Sequence, residues 1–226
     1  MHRLMVLSST YRMSSASAES ASQSMDPENE FLWRMNSRRM EAEMVRDSVL
    51  AVTGGLDLAF GGADIPESQG ESVPRRSMYF RLTPNDKMQF LELFDVADPN
   101  SCYRRIESVI PQQALAISNS QIAMRQARVL AETLDAETAA EASAGADEAF
   151  VTAAFETILT RPPSEQERDA CVAFLKTHVK LLGRGKLTTF AGAAANVKLS
   201  EADRQRRARE SFVHVLLNHN DFVTVR

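Results

Sequence analysis

The residues best suited to chemistry are arginines and carboxylates in the first third of the chain. The predicted helix over residues 37–53 carries Arg39, Glu43, Arg46 and Asp47 on its polar side. Side chains three or four residues apart lie next to each other on a helix, so Arg39–Glu43 and Glu43–Arg46 can form ion pairs. The simplest interpretation is a solvated ladder of salt bridges, because most surface ion pairs contribute little.

A second arginine pair, Arg104 and Arg105, lies shortly before Pro111. Proline fits the first turn of a helix, so a helix is predicted to begin at Pro111. The two arginines are either an ordinary solvated pair, or one of them points inward. In the second case it would bind a carboxylate such as Asp95 or Asp98 through a bidentate ion pair.

Histidine and cysteine spacing argues against a local metal site. His214 and His219 are five residues apart and would lie about 140° apart around a helix. Cys171 and His178 share a helix face but are separated by roughly 10 Å along its axis, whereas zinc ligands bind at about 2 Å. The sequence has no C-x-x-C, C-x-x-C-H, H-E-x-x-H or G-x-S-x-G motif. We therefore predict no metal site and no haem attachment in this chain, and leave open whether Cys102 and Cys171 pair.

Composition is that of an ordinary globular protein. The 226 residues are 44% hydrophobic and 25% charged, with a net charge of −4. This charge gives no electrostatic footprint for nucleic acid, so no nucleic-acid partner is expected. No apolar run approaches the roughly 20 residues that span a bilayer. The apolar part of residues 1–8 is too short for a signal peptide, so the chain as given is expected to be cytoplasmic.

Hydrophobic periodicity predicts a mainly α fold, an irregular multi-helix domain with one long loop and at most one or two short strands. Capping sequences mark the predicted helix starts, and glycine or proline marks the ends. Helices are predicted to begin at Asp26–Pro27, at Pro111 and at Ser200, and to span 37–53, 120–134, 147–160 and 164–183, the last with a capping box at 164–167. Residues 1–13 are predicted to be helical or extended. A buried cluster is predicted at 88–94 and a strand at 75–82.

Three regions are predicted along the chain. Residues 1–134 form an N-terminal helical part that includes a long Gly/Pro loop at 54–76 and the central segment CYRR…PQQAL. Residues 135–146 are an acidic linker, and residues 147–226 form a C-terminal helical part. Loops as long as 54–76 are either functional or poorly ordered, and the glycines of this one do not match a phosphate-binding motif.

Several segments together resemble one protein family. The opening HRLMVLSSTYRMSS at residues 2–15 is similar to the family's HRLIVTSATYRQSS, with Met13 where glutamine is usual. The match continues at residues 36–47 and 75–79, through the central stretch from 102 to 119 with PQQAL at 111–115, and at 216–223. The chain thus resembles the C-terminal domain of planctomycete-type, cytochrome-c-associated proteins, domain of unknown function family 1553. The loop at 183–199 departs from the family pattern.

This resemblance implies a cellular location and a set of accompanying domains, and it implies no activity. Proteins of this family are typically exported and carry a haem c module and another uncharacterised domain upstream, so the resemblance implies a periplasmic or cell-envelope location. It implies no cofactor in this chain, haem c in a separate upstream domain, and upstream domains or a partner chain as partners. His2 matches a position well inside such proteins, so we expect the chain to be a C-terminal fragment.

Two functions are consistent with the sequence, apart from a non-functional remnant of a broken gene. The first is a non-catalytic structural or interaction module. The alternative is an active site for polysaccharide-related, possibly redox, chemistry in the full-length protein. Clustering around one cleft with a shifted carboxylate pKa would favour the active site, and exposed ladders would favour the module. The candidate residues for such a site are Arg39, Glu43, Arg46, Asp47, Arg75, Arg76, Tyr79, Arg105 and Gln113.

Overall fold

The computed structural model describes residues 1–15, 21–101, 108, 111–139, 145–184 and 199–225. Within these residues the fold is mainly α, as predicted, and its only sheet has two strands. The helices are α1 (His2–Val6), α2 (Ala21–Met25), α3 (Ala42–Ala51), α4 (Gln89–Leu93), α5 (Pro111–Asn119), α6 (Gln121–Thr138), α7 (Ala146–Leu159), α8 (Glu165–Arg184) and α9 (Glu201–Leu217), and the strands are β1 (Arg38–Arg39) and β2 (Thr224–Val225). The chain divides into two compact units, Met1–Met40 with Val223–Arg226, and Glu41–Phe222.

The smaller unit contains turns where a helix was predicted after Asp26–Pro27. The Asp26 carboxylate accepts the backbone N–H groups of Glu30 and Phe31, each at 2.9 Å. Asn29 and Leu32 have φ angles of 58° and 54°, in the left-handed region that a continuing α-helix does not use. The predicted helix is therefore wrong, because Asp26 caps a tight turn instead. The antiparallel pair β1–β2 lies in this unit and pairs Arg38 with Val225.

The core of the larger unit is a bundle of α6, α7, α8 and α9. Helix α9 packs against the three others, and its Phe212 side chain is only 3% exposed. The Phe212 ring lies 6.2, 6.5 and 6.3 Å from the rings of Phe150, Phe155 and Phe174. Such aromatic clusters bury a large apolar area in specific geometry. These helices match the predicted periodic segments.

The predicted helix starts are confirmed by their capping hydrogen bonds. Ser120 Oγ accepts the Ala123 N–H at 3.4 Å, and Ser200 Oγ accepts the Asp203 N–H at 3.1 Å. At α8 the capping box is reciprocal, since Ser164 Oγ accepts the Glu167 N–H at 3.3 Å and Glu167 accepts the Ser164 N–H at 2.8 Å. Helix α6 ends at Thr138, four residues beyond the predicted end at Leu134.

A second packed region joins α3 to α4, α6 and a 3-10 helix at Ser77–Tyr79. The predicted buried cluster is present: Met88, Phe90, Leu91 and Phe94 are 4–5% exposed. The predicted strand at 75–82 is wrong, because a 3-10 turn occupies its centre and leaves Met78 65% exposed. Two isolated parallel bridges, Asp57 with Arg75 and Ile65 with Phe80, are the extended pairings that the alternating sequence forms. These bridges place residues 57–65 of the loop alongside residues 75–80.

An ion-pair network at the start of α8 gives the larger unit a defined acid sensitivity. The Arg161 guanidinium binds Glu167 at 2.7 and 3.0 Å and Asp221 at 3.0 Å. The hydrogen bond from Arg161, with one from the Ser164 N–H, lowers the pKa of Glu167 from 4.5 to about 2. The ionised Glu167 therefore stabilises the fold above pH 4.5, and this contribution is lost as the pH falls toward 2.

We expect Glu167→Gln to remove part of the acid sensitivity of unfolding. Chemical denaturation of the variant and of the parent, measured between pH 6 and 2, should show a smaller loss of stability in the variant across the window set by the two pKa values, 4.5 and about 2. Glu165→Gln, at the start of the same helix, is the control. Parallel pH profiles for the parent and both variants would mean that the Arg161 network does not operate in solution.

Candidate functional site

Arg46 is the centre of the candidate cluster and is buried. It lies on the apolar stripe of α3 with Ala42, Val45 and Val49, and its side chain is 1% exposed. Its five N–H groups make five hydrogen bonds at 2.7–3.2 Å to the Gly70, Val73 and Arg75 carbonyls and to Ser77 Oγ. Its guanidinium also lies 4.7 Å from the Phe80 ring centroid. Burial lowers the pKa of Arg46, and attraction to Asp47 partly offsets that effect. Every donor of this side chain is therefore engaged inside the protein.

Asp47 makes the next contact between α3 and the loop. Its Oδ1 accepts the Ser77 backbone N–H at 2.8 Å and the Ser77 hydroxyl at 2.6 Å. The same carboxylate lies 3.5 Å from Arg46 Nη1 and 4.0 Å from Arg76 Nε. Two consecutive residues of α3 therefore bind the segment that follows the loop. Asp47 accepts the first backbone N–H of the 3-10 helix, as a capping side chain does at the start of an α-helix.

Arg75 and Tyr79 fix the tip of the long loop, residues 57–62, which we call the apex. Arg75 Nη2 donates to the Ala59 carbonyl at 2.6 Å and to the Gly61 carbonyl at 2.8 Å. The Arg75 guanidinium lies 4.0 Å from the Tyr79 ring centroid, and the Tyr79 hydroxyl accepts the Gly61 N–H at 3.1 Å. Gly61 has a φ of 78°, which other residues adopt only with strain. The apex backbone is thus held by both side chains.

The fixed apex displays two large apolar side chains to solvent. Leu58 is 71% exposed and Phe60 is 100% exposed. Just before them, the Asp57 N–H donates to the Pro74 carbonyl at 2.8 Å, and Asp57 Oδ1 accepts the Ala59 N–H at 2.8 Å. The polar backbone is bonded inward and the apolar side chains point outward. This is the reverse of ordinary loop packing, and the glycines and prolines of the loop do not predict it.

Five of the nine sequence-predicted candidates meet around this loop: Arg46, Asp47, Arg75, Arg76 and Tyr79. Glu43 is half-buried on α3. Arg39 lies in β1 of the smaller unit. The predicted helical spacing of Arg39 and Glu43 is therefore wrong, because α3 begins at Ala42 and not at residue 37. Arg105 lies outside the described residues, as do Arg104 and Cys102. The predicted solvated ladder is wrong for Arg46, which faces the core. The signal was available, because residues 42, 45, 46 and 49 share one face of a helix.

Gln113 belongs to a separate polar cluster. Its side chain is buried on α5, and its Nε2 donates to the Ser108 carbonyl at 3.1 Å. Asp95 Oδ2 accepts both the backbone N–H and the hydroxyl of Ser108, each at 2.7 Å. Asp95 has a φ of 59° at the turn after α4. This cluster ties the end of α4 to the start of α5. The pairing of Arg104 or Arg105 with Asp95 or Asp98 stays a prediction, because both arginines lie outside the described residues.

Two cavities of the larger unit have none of these candidates in their lining. One, of about 660 Å³, is formed by α6, α7 and α8 and is lined mostly by acidic and small residues. The other, of about 340 Å³, is a groove between α4 and α5. Within the described ranges, no group of three or more His, Cys, Asp or Glu side chains is arranged to hold a metal ion. No helix in that part of the chain is long and apolar enough to cross a membrane.

Close packing under the loop gives a test of the Arg46 arrangement. A Cβ atom on Gly70 would lie 2.4–2.6 Å from the Met88 side chain, which is 5% exposed. We expect Gly70→Ala to destabilise the protein by about 1–3 kcal/mol through overpacking. Chemical denaturation of the double variant Gly70→Ala/Met88→Ala should show less destabilisation than the sum of the two single variants. Strict additivity would contradict the contact.

Comparison with known proteins supports one part of the resemblance found in the sequence, the family itself. A family model described as PSD1, protein of unknown function (DUF1553), matches residues 1–175. No curated protein and no solved structure matches the chain. The matched region includes the smaller unit up to Met40, the whole Arg46 cluster with the apex, and the helices through about the first half of α8. The chain therefore belongs to the PSD1 (DUF1553) family of proteins of unknown function.

Proposed function

We propose that this chain is a non-catalytic interaction module that docks onto another protein domain through the apex of its long loop. The observation that carries the proposal is the use of Arg46, whose five N–H groups all bind internal acceptors. The Arg46 cluster, whose residues were the candidates for an active site, therefore acts as an internal support of the loop. What it supports is a loop that exposes Phe60 completely.

The energetics of the apex favour docking. Fixing each backbone residue costs about 1–2 kcal/mol of conformational entropy, and an ordinary folded loop recovers part of that cost by burying side chains. The apex buries neither Leu58 nor Phe60. A rigid, exposed aromatic loses little further entropy on binding, which is the property of a preorganised interface anchor.

Site-specific photo-crosslinking tests this proposal. With a benzophenone amino acid at position 60, irradiation of the protein in its native host should give discrete protein adducts. The same probe at Val129, 46% exposed on α6, should give none. Arg75→Gln frees the apex backbone and should weaken the adducts from position 60. Equal and diffuse labelling at both positions would contradict docking through the apex.

The competing hypothesis, polysaccharide-related chemistry, would require Asp47 to serve a substrate. In the cluster this carboxylate already accepts two hydrogen bonds from Ser77. We expect no new reducing ends from neutral or acidic polysaccharides incubated with the protein, and we expect Asp47→Asn to change stability alone. Hydrolysis that Asp47→Asn abolishes while circular dichroism stays unchanged would support the enzyme instead.

We further propose, from the family resemblance, that the module works within an exported, haem-c-bearing planctomycete-type protein. An antibody raised against this chain should detect, in the exported fraction of host cells, a polypeptide larger than 25.1 kDa that stains for covalent haem. A haem-free band of 25.1 kDa in the cytosolic fraction would contradict this assignment.

A further inference from the structure

We infer that the partner of the apex is an extended peptide segment of another protein, which binds as an added β-strand along Leu58 and Phe60. This inference rests on the proposed function, because it takes the apex to be the docking element, and it adds the kind of segment that docks there. The apex and the residues that hold it all lie within the described range 21–101.

Backbone hydrogen bonds alternate along the apex. Asp57, Ala59 and Gly61 donate their N–H groups to acceptors of the same loop or of the residues that follow it, at 2.8, 2.8 and 3.1 Å. The carbonyls of Ala59 and Gly61 both accept from one arginine guanidinium. The two intervening residues, Leu58 and Phe60, neither donate nor accept a hydrogen bond within the part of the chain that the structure describes.

This alternation is the pattern of a β-strand that is bonded along one edge only. In a strand, the N–H and C=O groups of successive residues point to opposite edges, so every second residue shares an edge. No turn or bend interrupts residues 58–64, and the bridges at Asp57 and Ile65 lie at either end of that stretch. The open edge consists of the backbone groups of Leu58 and Phe60, and Phe60 as a whole residue is 100% exposed.

An extended peptide fits this edge because its own backbone groups repeat at the same interval. Residues two apart in a strand are separated by about 6.6–6.8 Å, so one added strand bonds to Leu58 and Phe60 together. A helix cannot do so, since its backbone groups bond to one another. Unpaired edges of this kind are templates for strand addition. The opposite edge is already fixed, which lowers the entropy lost on binding.

The exposed side chains of the apex specify the composition of the added strand. Leu58 and Phe60 are two residues apart and therefore lie on one face of the strand, where they are 71% and 100% exposed. Aromatic and β-branched neighbours on an adjacent strand stabilise such side chains. The partner segment should carry apolar residues at alternate positions. It should have no proline at the paired positions, because proline lacks the N–H donor.

Selection from a random-peptide display library on the 226-residue chain tests the inference, with Phe60→Ser for counter-selection. The selected peptides should alternate apolar and polar residues. At saturation with such a peptide, hydrogen exchange of the Leu58 and Phe60 amides should slow by about tenfold or more. The Asp57 and Gly61 amides, which are bonded in the free protein, should keep the protection that they already have.

N-methylation of a selected peptide separates strand addition from docking by side chains alone. Methyl groups on alternate amide nitrogens should each raise the dissociation constant by about tenfold, because each removes a donor and leaves the facing carbonyl unpaired. Methyl groups on the intervening nitrogens should change it by less than about twofold.

The same donor can be removed from the protein. Leu58→Pro deletes the N–H that the peptide would accept, so binding should weaken by about tenfold. Leu58→Val keeps that N–H and an apolar side chain, and it is the matched control. Thermal melts of both variants show whether the fold is retained, and the N-methyl series tests the same bonds without any change to the protein.

Three results would overturn the inference: a library that yields no peptide binding at the apex, a bound peptide that leaves the Leu58 and Phe60 amides exchanging as in the free protein, or N-methyl effects that do not alternate. Protein adducts from the photo-crosslinker at position 60, found together with any of these results, would leave the proposed function standing and remove only strand addition. Absence of both adducts and apex-binding peptides would remove both.

Discussion

Replacing Arg46 with glutamine is expected to lower the free energy of unfolding by about 3–5 kcal/mol, the cost of breaking a buried charged network. The variant leaves the Gly70, Val73 and Arg75 carbonyls without their donor. A buried carbonyl that loses its partner retains its desolvation cost. For a chain of this length the melting temperature should fall by about 6–20 °C. Differential scanning calorimetry and chemical denaturation measure both quantities.

Arg81→Gln is the matched control for this variant. Arg81 also bonds to the loop, through Asp64 at 2.7 Å, but the two side chains are 49% and 61% exposed. Exposed ion pairs contribute about 0–1 kcal/mol, so the control should melt close to the parent. If Arg46→Gln and Arg81→Gln lower the free energy of unfolding by the same small amount, the guanidinium of Arg46 does not support the loop through these hydrogen bonds.

Phe212→Ala is expected to have an effect of similar size in the other part of the core, about 3–5 kcal/mol. The Phe212 ring is surrounded by Phe150, Phe155 and Phe174 at centroid distances of 6.2–6.5 Å. Truncation removes these contacts and leaves a cavity that rigid helices fill poorly. Urea denaturation followed by circular dichroism should show a lower midpoint at an unchanged slope.

Val215→Ala on the same helix provides the comparison. Val215 is 57% exposed, three residues from Phe212. Its truncation should cost no more than about 0.5 kcal/mol, as is usual for surface positions. Equal destabilisation by Phe212→Ala and Val215→Ala would mean that α9 turns a different face to the bundle.

The bundle could be predicted from sequence because its signals are local. Helices α7, α8 and α9 combine apolar residues at helical spacing with capping serines at α8 and α9, and both kinds of signal act within a few residues of the chain. Pro111 and Ser120 likewise mark helix starts that the structure confirms. Local consistency of this kind leaves little room for tertiary contacts to override it.

The Arg46 cluster could not be predicted in the same way. Whether an arginine on α3 faces solvent or core depends on carbonyls 24–29 residues away, at Gly70, Val73 and Arg75. Only the folded loop brings those acceptors together. Arginine suits this position because its planar guanidinium directs five donors at fixed angles and stays charged when buried. The pairing with Glu43, three residues away, looked stronger in the sequence because it is local.

The two wrong elements have the same origin. Asp26–Pro27 is a valid helix start, but left-handed Asn29 ends the turn before a helix can form. Alternation at residues 75–82 resembles a strand, yet Ser77 bonds to Asp47 and bends the chain into a 3-10 turn. In both segments a side-chain to backbone hydrogen bond replaces the pattern expected from hydrophobicity.

The arginine network holds the loop 54–76 in one conformation, and native-state hydrogen exchange is the direct test of this arrangement. We expect protection of the Asp57, Gly61 and Ile65 amides, which donate to the Pro74 carbonyl, the Tyr79 hydroxyl and the Tyr79 carbonyl, in that order. Arg75→Gln should abolish protection at the apex while the amides of α9 keep theirs. Exchange of all three amides at the rate of an unstructured chain in the wild type would mean that the arginines do not hold the loop in this conformation.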